Sequence, residues 1–194
     1  MLIEPAVPEN VGAAARALKT MGFGEMRLVN TVAHKSERAR WLAHGAGDLL
    51  QSTTHFDSFD EAARDLDYLI ATTSKSRSIR QDYHSPERVL QLLESKKHIL
   101  RKVGVVFGSE ESGLSNAVIA QCDIASTIPL ATAFPSLNLA QSVMLYAYVF
   151  ARLPQDVRYG DSAGANQALY TTARHKVSKI LQQSGLPEDR NLHR

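Results

Sequence analysis

The sequence predicts an α/β fold with a mostly parallel sheet flanked by helices. Five short apolar runs, each of strand length, alternate with segments whose apolar residues recur at helical spacing. The runs fall at residues 2–7, 26–29, 68–72, 103–107 and 124–130. Strands that alternate with helices form parallel βαβ units, because each helix carries the chain back to the edge where the next strand begins.

Capping residues and apolar periodicity place the helices. The first is predicted to begin at Asn10, a good N-cap residue after Pro8-Glu9, and to stop at Gly22. Five further helices are predicted at residues 37–50, 58–65, 85–95, 115–121 and 138–153. Apolar residues run almost all round the last of these, which is typical of a buried or interface helix.

The domain organisation follows from these elements. Residues 1–153 are enough for one domain with its own core. Pro154 ends the last predicted helix, and residues 154–165, rich in Gly, Asp and Ser, predict a linker. Residues 166–194 predict a short basic helical extension.

Composition favours a cytoplasmic protein. No apolar run approaches the roughly 18 residues that span a bilayer, and the first residues do not form a secretory signal. The single cysteine, Cys122, fits a reducing compartment, and the histidines lack ligand spacing, so we expect no metal. The formal net charge is only +2, but Lys75, Arg77 and Arg80 form a local positive run suited to phosphate contact.

Three segments carry residues suited to binding or catalysis. Arg16 lies in the first helix, where its guanidinium donors suit a phosphate or a ribose oxygen. Gly108 and Gly113 lie in a loop after a buried strand, and ligands of open α/β sheets bind at such carboxyl ends. Residues 128–140 form a proline-bounded loop that enters the long apolar helix. Taken singly, these features also fit a surface arginine, a tight turn and a helix cap at Ser136.

Together, and in this order, the segments resemble the three motifs of the SpoU/TrmH superfamily of RNA 2′-O-ribose methyltransferases, of the SPOUT class. The matching residues are Asn10-x-Gly12-x-x-x-Arg16, Phe107-Gly108-Ser109-Glu110-Glu111-Ser112-Gly113-Leu114, and Ile128-Pro129 followed by Ser136-Leu137-Asn138. Further matches at residues 16–22, 43–48 and 72–77 are similar to the TrmJ/LasT branch, although many relatives carry arginine where Ser109 stands. The resemblance covers about residues 2–152.

The resemblance implies a deep C-terminal trefoil knot within about residues 103–152 that forms a pocket for S-adenosyl-L-methionine. Carried over by position, the cofactor contacts are Thr73, Ser74, Lys75, Gly108, Ile128, Pro135, Ser136 and Leu137. It also implies a homodimer built on the first helix and the helix after Asn138. In such a dimer Arg16 of one subunit would point towards the cofactor of the other.

The resemblance further assigns catalytic and RNA-binding roles. Arg16 would orient the ribose and stabilise developing negative charge, since an arginine is too basic to lose its proton readily. Glu110 and Asn138 would position Arg16 or the ribose, and Ser136 would lie beside the reacting centre. The predicted RNA contacts are Asn10 and Arg16, together with Lys75, Arg77 and Arg80 of the positive run.

The predicted substrate is structured RNA, with tRNA favoured and position 32 of the anticodon loop suggested by the branch. Two alternatives stay open: the same chemistry on rRNA, and a catalytically silent knotted RNA-binding protein. A hydrolase is disfavoured, because the Gly-x-Ser-x-Gly pattern at residues 160–164 lies in the predicted linker rather than after a buried strand.

Overall fold

The computed structural model describes residues 1–74, 82–131 and 136–153 of the 194-residue chain. All of them belong to the unit Met1–Arg158. Several sequence predictions therefore lie outside the described residues. They are those for Lys75, Arg77, Arg80, Pro135, the linker at 154–165, the Gly-x-Ser-x-Gly pattern and the extension at 166–194.

Within the described ranges, seven parallel strands form the sheet. They are β1 (Leu2–Ile3), β2 (Arg27–Val29), β3 (Thr54–Phe56), β4 (Tyr68–Thr72), β5 (Tyr83–His84), β6 (Val103–Val106) and β7 (Ile124–Ser126). Two ladders, β1-β2-β3 and β5-β7-β4-β6, meet where the Ile3 amide donates to the Phe107 carbonyl oxygen at 2.8 Å. The strand order is therefore β3-β2-β1-β6-β4-β7-β5. The predicted α/β class with a parallel sheet is confirmed.

Seven α-helices and a 3-10 turn at Ala33–Lys35 connect these strands in the described part of the chain. The helices are α1 (Pro8–Thr20), α2 (Glu37–Leu42), α3 (Gly47–Gln51), α4 (Phe59–Ala63), α5 (Pro86–Ser95), α6 (Asn116–Gln121) and α7 (Leu139–Phe150). Serine hydroxyls cap four of them, and Asn138 caps α7. These caps satisfy amide donors that have no partner inside the helix.

Two predictions about helices are wrong. The first helix begins at Pro8, with Val7 at the N-cap position, so Asn10 lies inside α1 and does not cap it. The predicted helix at 37–50 is two helices, because the chain turns at Gly45, whose φ of +78° is easily adopted by glycine.

The predicted strand boundaries also need correction. β1 stops at Ile3 because Glu4 adopts a φ of +48°, outside the range of extended backbone. β7 stops at Ser126 rather than at residue 130. The sequence did not predict β3 or β5: β3 is largely exposed and carries two polar residues, and β5 has only two residues.

Helices α1 and α7 pack together over the sheet. Val11 of α1, Val143 of α7 and Leu28 of β2 are all fully buried in one core. Gly12 permits the close approach of α1 and α2, because a Cβ atom at this position would lie 2.0 Å from the carbonyl oxygen of Ala39. Within the described ranges no helix is both long and apolar enough to cross a membrane.

Arg27, at the amino end of β2, is buried with its charge paired. Its guanidinium donates to both carboxylate oxygens of Asp65, to the Glu25 carboxylate at 2.7 Å and to the Ala62 carbonyl oxygen at 2.6 Å. Lys102 adds a second cation to Asp65 at 2.9 Å. The hydrogen bonds from Arg27 hold the pKa of Asp65 well below its usual range.

Candidate active site

A cavity of about 270 Å³ opens at the carboxyl ends of β4, β6 and β7, and we call it the carboxyl-end cavity. Three chain segments line it: the end of β4, the loop after β6, and the segments before and within α7. The lining residues are Thr72–Ser74, Phe107–Leu114, Ile128, Leu130, Ser136, Leu137, Leu139, Ser142 and Tyr146. This is the edge at which parallel sheets bind ligands.

The loop after β6 folds tightly back on itself. A Cβ atom on Gly108 would lie 2.0 Å from the carbonyl carbon of Gly113, so glycine is required there by the loop's own backbone. Gly113 has a φ of +67°, and its amide donates to the Ser109 carbonyl oxygen at 3.0 Å. From the sequence, Gly108 is predicted to allow close approach by a ligand. The structure gives it a prior role in shaping the wall of the cavity.

Glu110 ties this loop to the start of α1. Its carboxylate accepts hydrogen bonds from the Ala6 amide at 2.9 Å, the Val7 amide at 3.3 Å and the Asn10 side-chain amide at 2.7 Å. Burial alone would raise the pKa of Glu110, but hydrogen bonds from Asn10 and the backbone amides outweigh it, so the pKa is lowered. The carboxylate is thus held in its charged form.

Asn138 joins the third segment to the other two. Its side-chain oxygen accepts from the Ala140 amide at 2.8 Å, and Gln141 accepts from the Asn138 amide at 3.2 Å, which completes a capping box on α7. Its side-chain amide donates to the Asn10 oxygen at 2.8 Å. Asn10, Glu110 and Asn138, which come from three separate motifs, therefore form one hydrogen-bonded chain, the Asn10–Glu110–Asn138 cluster.

Arg16 lies apart from this cluster. It is exposed on α1 and does not line the carboxyl-end cavity of its own chain. Among the residues described, no carboxylate forms an ion pair with it. The guanidinium is therefore available to a group from outside the described part of the chain.

The cavity lining also includes Tyr146, which the sequence does not predict as a site residue. Tyr146 of α7 is buried and contacts Phe107 edge to face, with ring centroids 5.5 Å apart. Its hydroxyl donates to Ser126 at 2.8 Å, and Ser126 donates to the His84 carbonyl oxygen at 2.9 Å. Burial raises the pKa of Tyr146, so the phenol stays protonated. Apolar residues run almost all round the predicted helix at 138–153, so no local signal distinguishes Tyr146 as a site residue.

The predicted cofactor residues in the described ranges meet at one place. Thr73, Ser74, Gly108, Ile128, Ser136 and Leu137 all line the carboxyl-end cavity together with Glu110. Asn10 and Asn138 adjoin it through their bonds to Glu110 and to each other. Within these same ranges, no group of three or more His, Cys, Asp or Glu side chains could hold a metal ion.

Comparisons with known proteins agree with this geometry. Residues 1–148 match the model of the SpoU rRNA Methylase family. The chain is 39% identical, over 97% of its length and 82% of the relative's, to the Uncharacterized tRNA/rRNA methyltransferase LasT of Escherichia coli K12. It is 32% identical to the tRNA (cytidine-2′-O-)-methyltransferase TrmJ of Methanocaldococcus jannaschii, over 76% of this chain and 64% of that relative.

Solved structures agree as well. The crystal structure of TrmJ from Z. mobilis ZM4 superposes with a TM-score of 0.72 at 30% identity, covering 95% of this chain and 79% of that one. The SpoU methyltransferase AviRb from Streptomyces viridochromogenes, solved in complex with AdoMet, shares the fold. Its TM-score is 0.60 at 20% identity, over 78% of this chain and 58% of that one. The resemblance found in the motifs is confirmed, and the chain belongs to the SpoU methylase family.

Proposed function

We propose that this chain transfers a methyl group from S-adenosyl-L-methionine to a ribose 2′-hydroxyl of structured RNA, with tRNA as the substrate. The observation that carries the proposal is the Asn10–Glu110–Asn138 cluster. Its hydrogen bonds connect three motifs that are far apart in the sequence and that meet at one cavity. Membership of a methylase family supports methyl transfer. The name of the M. jannaschii relative supports the 2′-hydroxyl and tRNA.

The carboxyl-end cavity suits the cofactor in size and lining. Its volume of about 270 Å³ is close to the lower end of the range for small-molecule sites. Its lining combines hydroxyl and backbone groups, from Thr73, Ser74 and Ser136, with the aromatic rings of Phe107 and Tyr146. S-Adenosylmethionine supplies a methyl group already activated on a sulfonium. The residues that would hold it are Thr73, Ser74, Gly108, Ile128, Ser136 and Leu137, with Lys75 and Pro135 proposed from sequence alone.

Arg16 is proposed to orient the ribose and to stabilise the negative charge that develops on its 2′-oxygen. Among the residues described it has no carboxylate ion-pair partner, so its donors can meet a substrate oxygen. Glu110 is a poor general base, since its carboxylate accepts three hydrogen bonds. Burial raises the pKa of Glu110, but these bonds outweigh that effect and the pKa is lowered. We assign Glu110 and Asn138 to positioning the start of α1, which carries Arg16.

A homodimer is proposed as the functional unit. Leu145 and Tyr148 on the outer face of α7 are 40% and 53% exposed, although neighbouring residues of that helix form core. An apolar stripe on an otherwise buried helix is suited to pairing with its own copy across a two-fold axis. Such pairing would bring Arg16 of one subunit to the carboxyl-end cavity of the other, which accounts for its distance from its own cavity.

A deep trefoil knot within residues 103–152 is also proposed. It is supported by the strand order, in which β7 lies between β4 and β5 although it follows both in the chain. We further propose a cytoplasmic location, in keeping with the one cysteine, Cys122, which is buried and free.

Calorimetric titration with S-adenosylmethionine tests the cofactor part of the proposal. We expect saturable binding, and we expect Gly108→Ala to abolish it, because the added Cβ would collide with the backbone of Gly113 and reshape the cavity wall. Ser115→Ala, which removes only the cap of α6, is the matched control and should still bind. A well-folded protein that does not bind the cofactor would favour a catalytically silent RNA-binding protein. Assays with rRNA and tRNA side by side decide between the two substrates.

A further inference from the structure

Trp41 is the only tryptophan in the chain, and its indole is 67% exposed on α2. Large aromatic side chains contribute most when buried, so an exposed tryptophan adds little to the stability of the fold. The neighbouring Leu42 is 42% exposed as well. α2 therefore presents an aromatic and apolar surface that the described core does not use.

The surroundings of Trp41 are strongly basic. Lys35, Arg38 and Arg40 are all exposed within six residues of it, against one acidic neighbour on the same helix, Glu37. Arg38 forms an exposed ion pair with Glu9 at 3.3 Å. Lys35 and Arg40 have no carboxylate partner within the described ranges. An aromatic ring among unneutralised cations matches the chemistry of a single-stranded nucleic acid, whose bases stack and whose phosphates are anionic.

The same surface continues to Arg16 on α1. The two helices pack side by side, since a Cβ atom on Gly12 would lie 2.0 Å from the carbonyl oxygen of Ala39. Glu9 and Arg16, seven residues apart, share one side of α1, and Arg38 of α2 reaches that side by pairing with Glu9.

Trp41 follows Arg38 by one turn on the same flank of α2. Arg38 thus connects Trp41 to the side of α1 that carries Arg16.

We infer that this Trp41 surface, formed by Arg16, Lys35, Arg38, Arg40 and Trp41, holds an unpaired base of the RNA substrate, stacked on the indole, next to the nucleotide whose ribose is methylated. The inference rests on the proposed function, because it takes RNA as the substrate. Lys35 and Arg40 contact the phosphates on either side of the stacked base, and Trp41 contacts its face.

A second copy of the chain fits the Trp41 surface less well than RNA. Two-fold pairing places a surface against itself, so the cations of this surface would face one another. The exposed stripe of Leu145 and Tyr148 on α7 has one cation beside it, Arg152, which already stacks on Tyr148 at 5.0 Å. That stripe is the better surface for self-association.

The single tryptophan provides a direct test. Unmodified tRNA transcripts are titrated into the protein while tryptophan fluorescence is followed, with S-adenosylmethionine alone and duplex RNA as comparison ligands. Stacking on a base quenches the indole, so we expect saturable quenching by the transcripts. Neither comparison ligand should quench it, since the cofactor does not reach Trp41 and a duplex offers no unpaired base.

Substitutions make the test quantitative. Trp41→Ala should raise the Kd for labelled tRNA about ten-fold or more, the scale of one lost stacking contact, while Trp41→Phe should recover most of the affinity. Ile99→Ala removes another apolar side chain, 68% exposed in the loop before β6, and should leave the Kd unchanged. All three variants should bind S-adenosylmethionine as the wild type does.

Three results would overturn the inference. Wild-type affinity of Trp41→Ala for tRNA, together with normal methyl transfer, removes the surface but leaves the proposed function intact. Conversion of Trp41→Ala to a monomer in analytical ultracentrifugation, with no quenching by RNA in the wild type, assigns the surface to a second copy of the chain. A wild-type protein that binds neither tRNA nor S-adenosylmethionine overturns the inference together with the proposed function.

Discussion

Arg27 and Arg16 carry the same guanidinium group in opposite surroundings. Arg27, at the amino end of the sheet, is 8% exposed and donates to Asp65, to Glu25 and to a backbone carbonyl. Arg16, on the outer face of α1, is exposed, and no ion pair to it is found within the described ranges. An arginine whose N–H donors are already hydrogen-bonded within the protein has a structural role. An arginine whose donors have no such partners can bind another molecule.

The residues around the carboxyl-end cavity also divide into those hydrogen-bonded within the protein and those that face the cavity. Glu110 and Asn138 use their polar atoms to connect the motifs, as Arg27 does at the other end. The hydroxyls of Ser74 and Ser136 line the cavity instead. Removing a group that is hydrogen-bonded within the protein should therefore lower stability first. Removing a group that faces the cavity or solvent should lower activity first.

Arg16→Ala gives the largest expected effect. We expect methyl transfer to fall by about 10²- to 10³-fold, the usual result of removing one donor to a developing oxyanion. The melting temperature should not change, since the side chain is exposed and unpaired within the described ranges. Single-turnover transfer of labelled methyl to tRNA measures the first effect, and scanning calorimetry measures the second. Arg64→Ala, an exposed arginine at the end of α4, is the control and should retain full activity.

Arg27→Met should reverse this pattern. It removes the guanidinium from Glu25 and from Asp65, which keeps Lys102, and we expect a loss of about 2 kcal/mol in the free energy of unfolding. The figure is below that for fully buried pairs because the side chains of Asp65 and Glu25 are 47% and 60% exposed. Denaturant titration measures the loss. Activity per folded molecule should stay at the wild-type level, and a selective fall in turnover would contradict the division between the two arginines.

Glu110→Gln should give the smallest change in the free energy of unfolding, and this change should depend on pH. Hydrogen bonds from Asn10 and two backbone amides lower the pKa of Glu110 against the opposing effect of burial. A carboxyl group with a lowered pKa stabilises the fold above its ordinary value, and this contribution is lost as pH falls through the lowered one.

We therefore expect wild type to exceed Glu110→Gln by about 1 kcal/mol in free energy of unfolding at neutral pH. The gap should close on acidification to below the ordinary value of 4.5. Paired urea titrations across that range make the measurement, and Glu111→Gln, on the exposed neighbour, is the matched control. A gap that stays constant with pH would show that charge on Glu110 is unimportant.

The sequence predicted most of the sheet because its central strands are buried on both faces and appear as continuous apolar runs. β4 was predicted at its observed bounds, and β6 extended one residue too far. The edge strands β3 and β5 were not predicted because they are short, polar or partly exposed. They therefore lack the apolar pattern from which a strand is predicted.

The candidate site shows where local patterns stop being informative. Asn10 has the residue type of an N-cap, yet its side chain bonds to Glu110, one hundred residues away, and to Asn138. Only the family motifs pointed to these partners, since helix propensity considers neighbours in sequence. The Ser126–Tyr146 hydrogen bond behind the cavity had no motif and no local signal, and it emerged only from the fold.

The most direct test of the account is the position of the transferred methyl group. Protein, S-adenosylmethionine with a labelled methyl group and unmodified tRNA are incubated together, and the RNA is digested to nucleosides and analysed by mass spectrometry. The account predicts a labelled 2′-O-methylnucleoside with the wild type and almost none with Arg16→Ala. Label on a base, or no label from a protein that binds both cofactor and tRNA, would contradict ribose methylation.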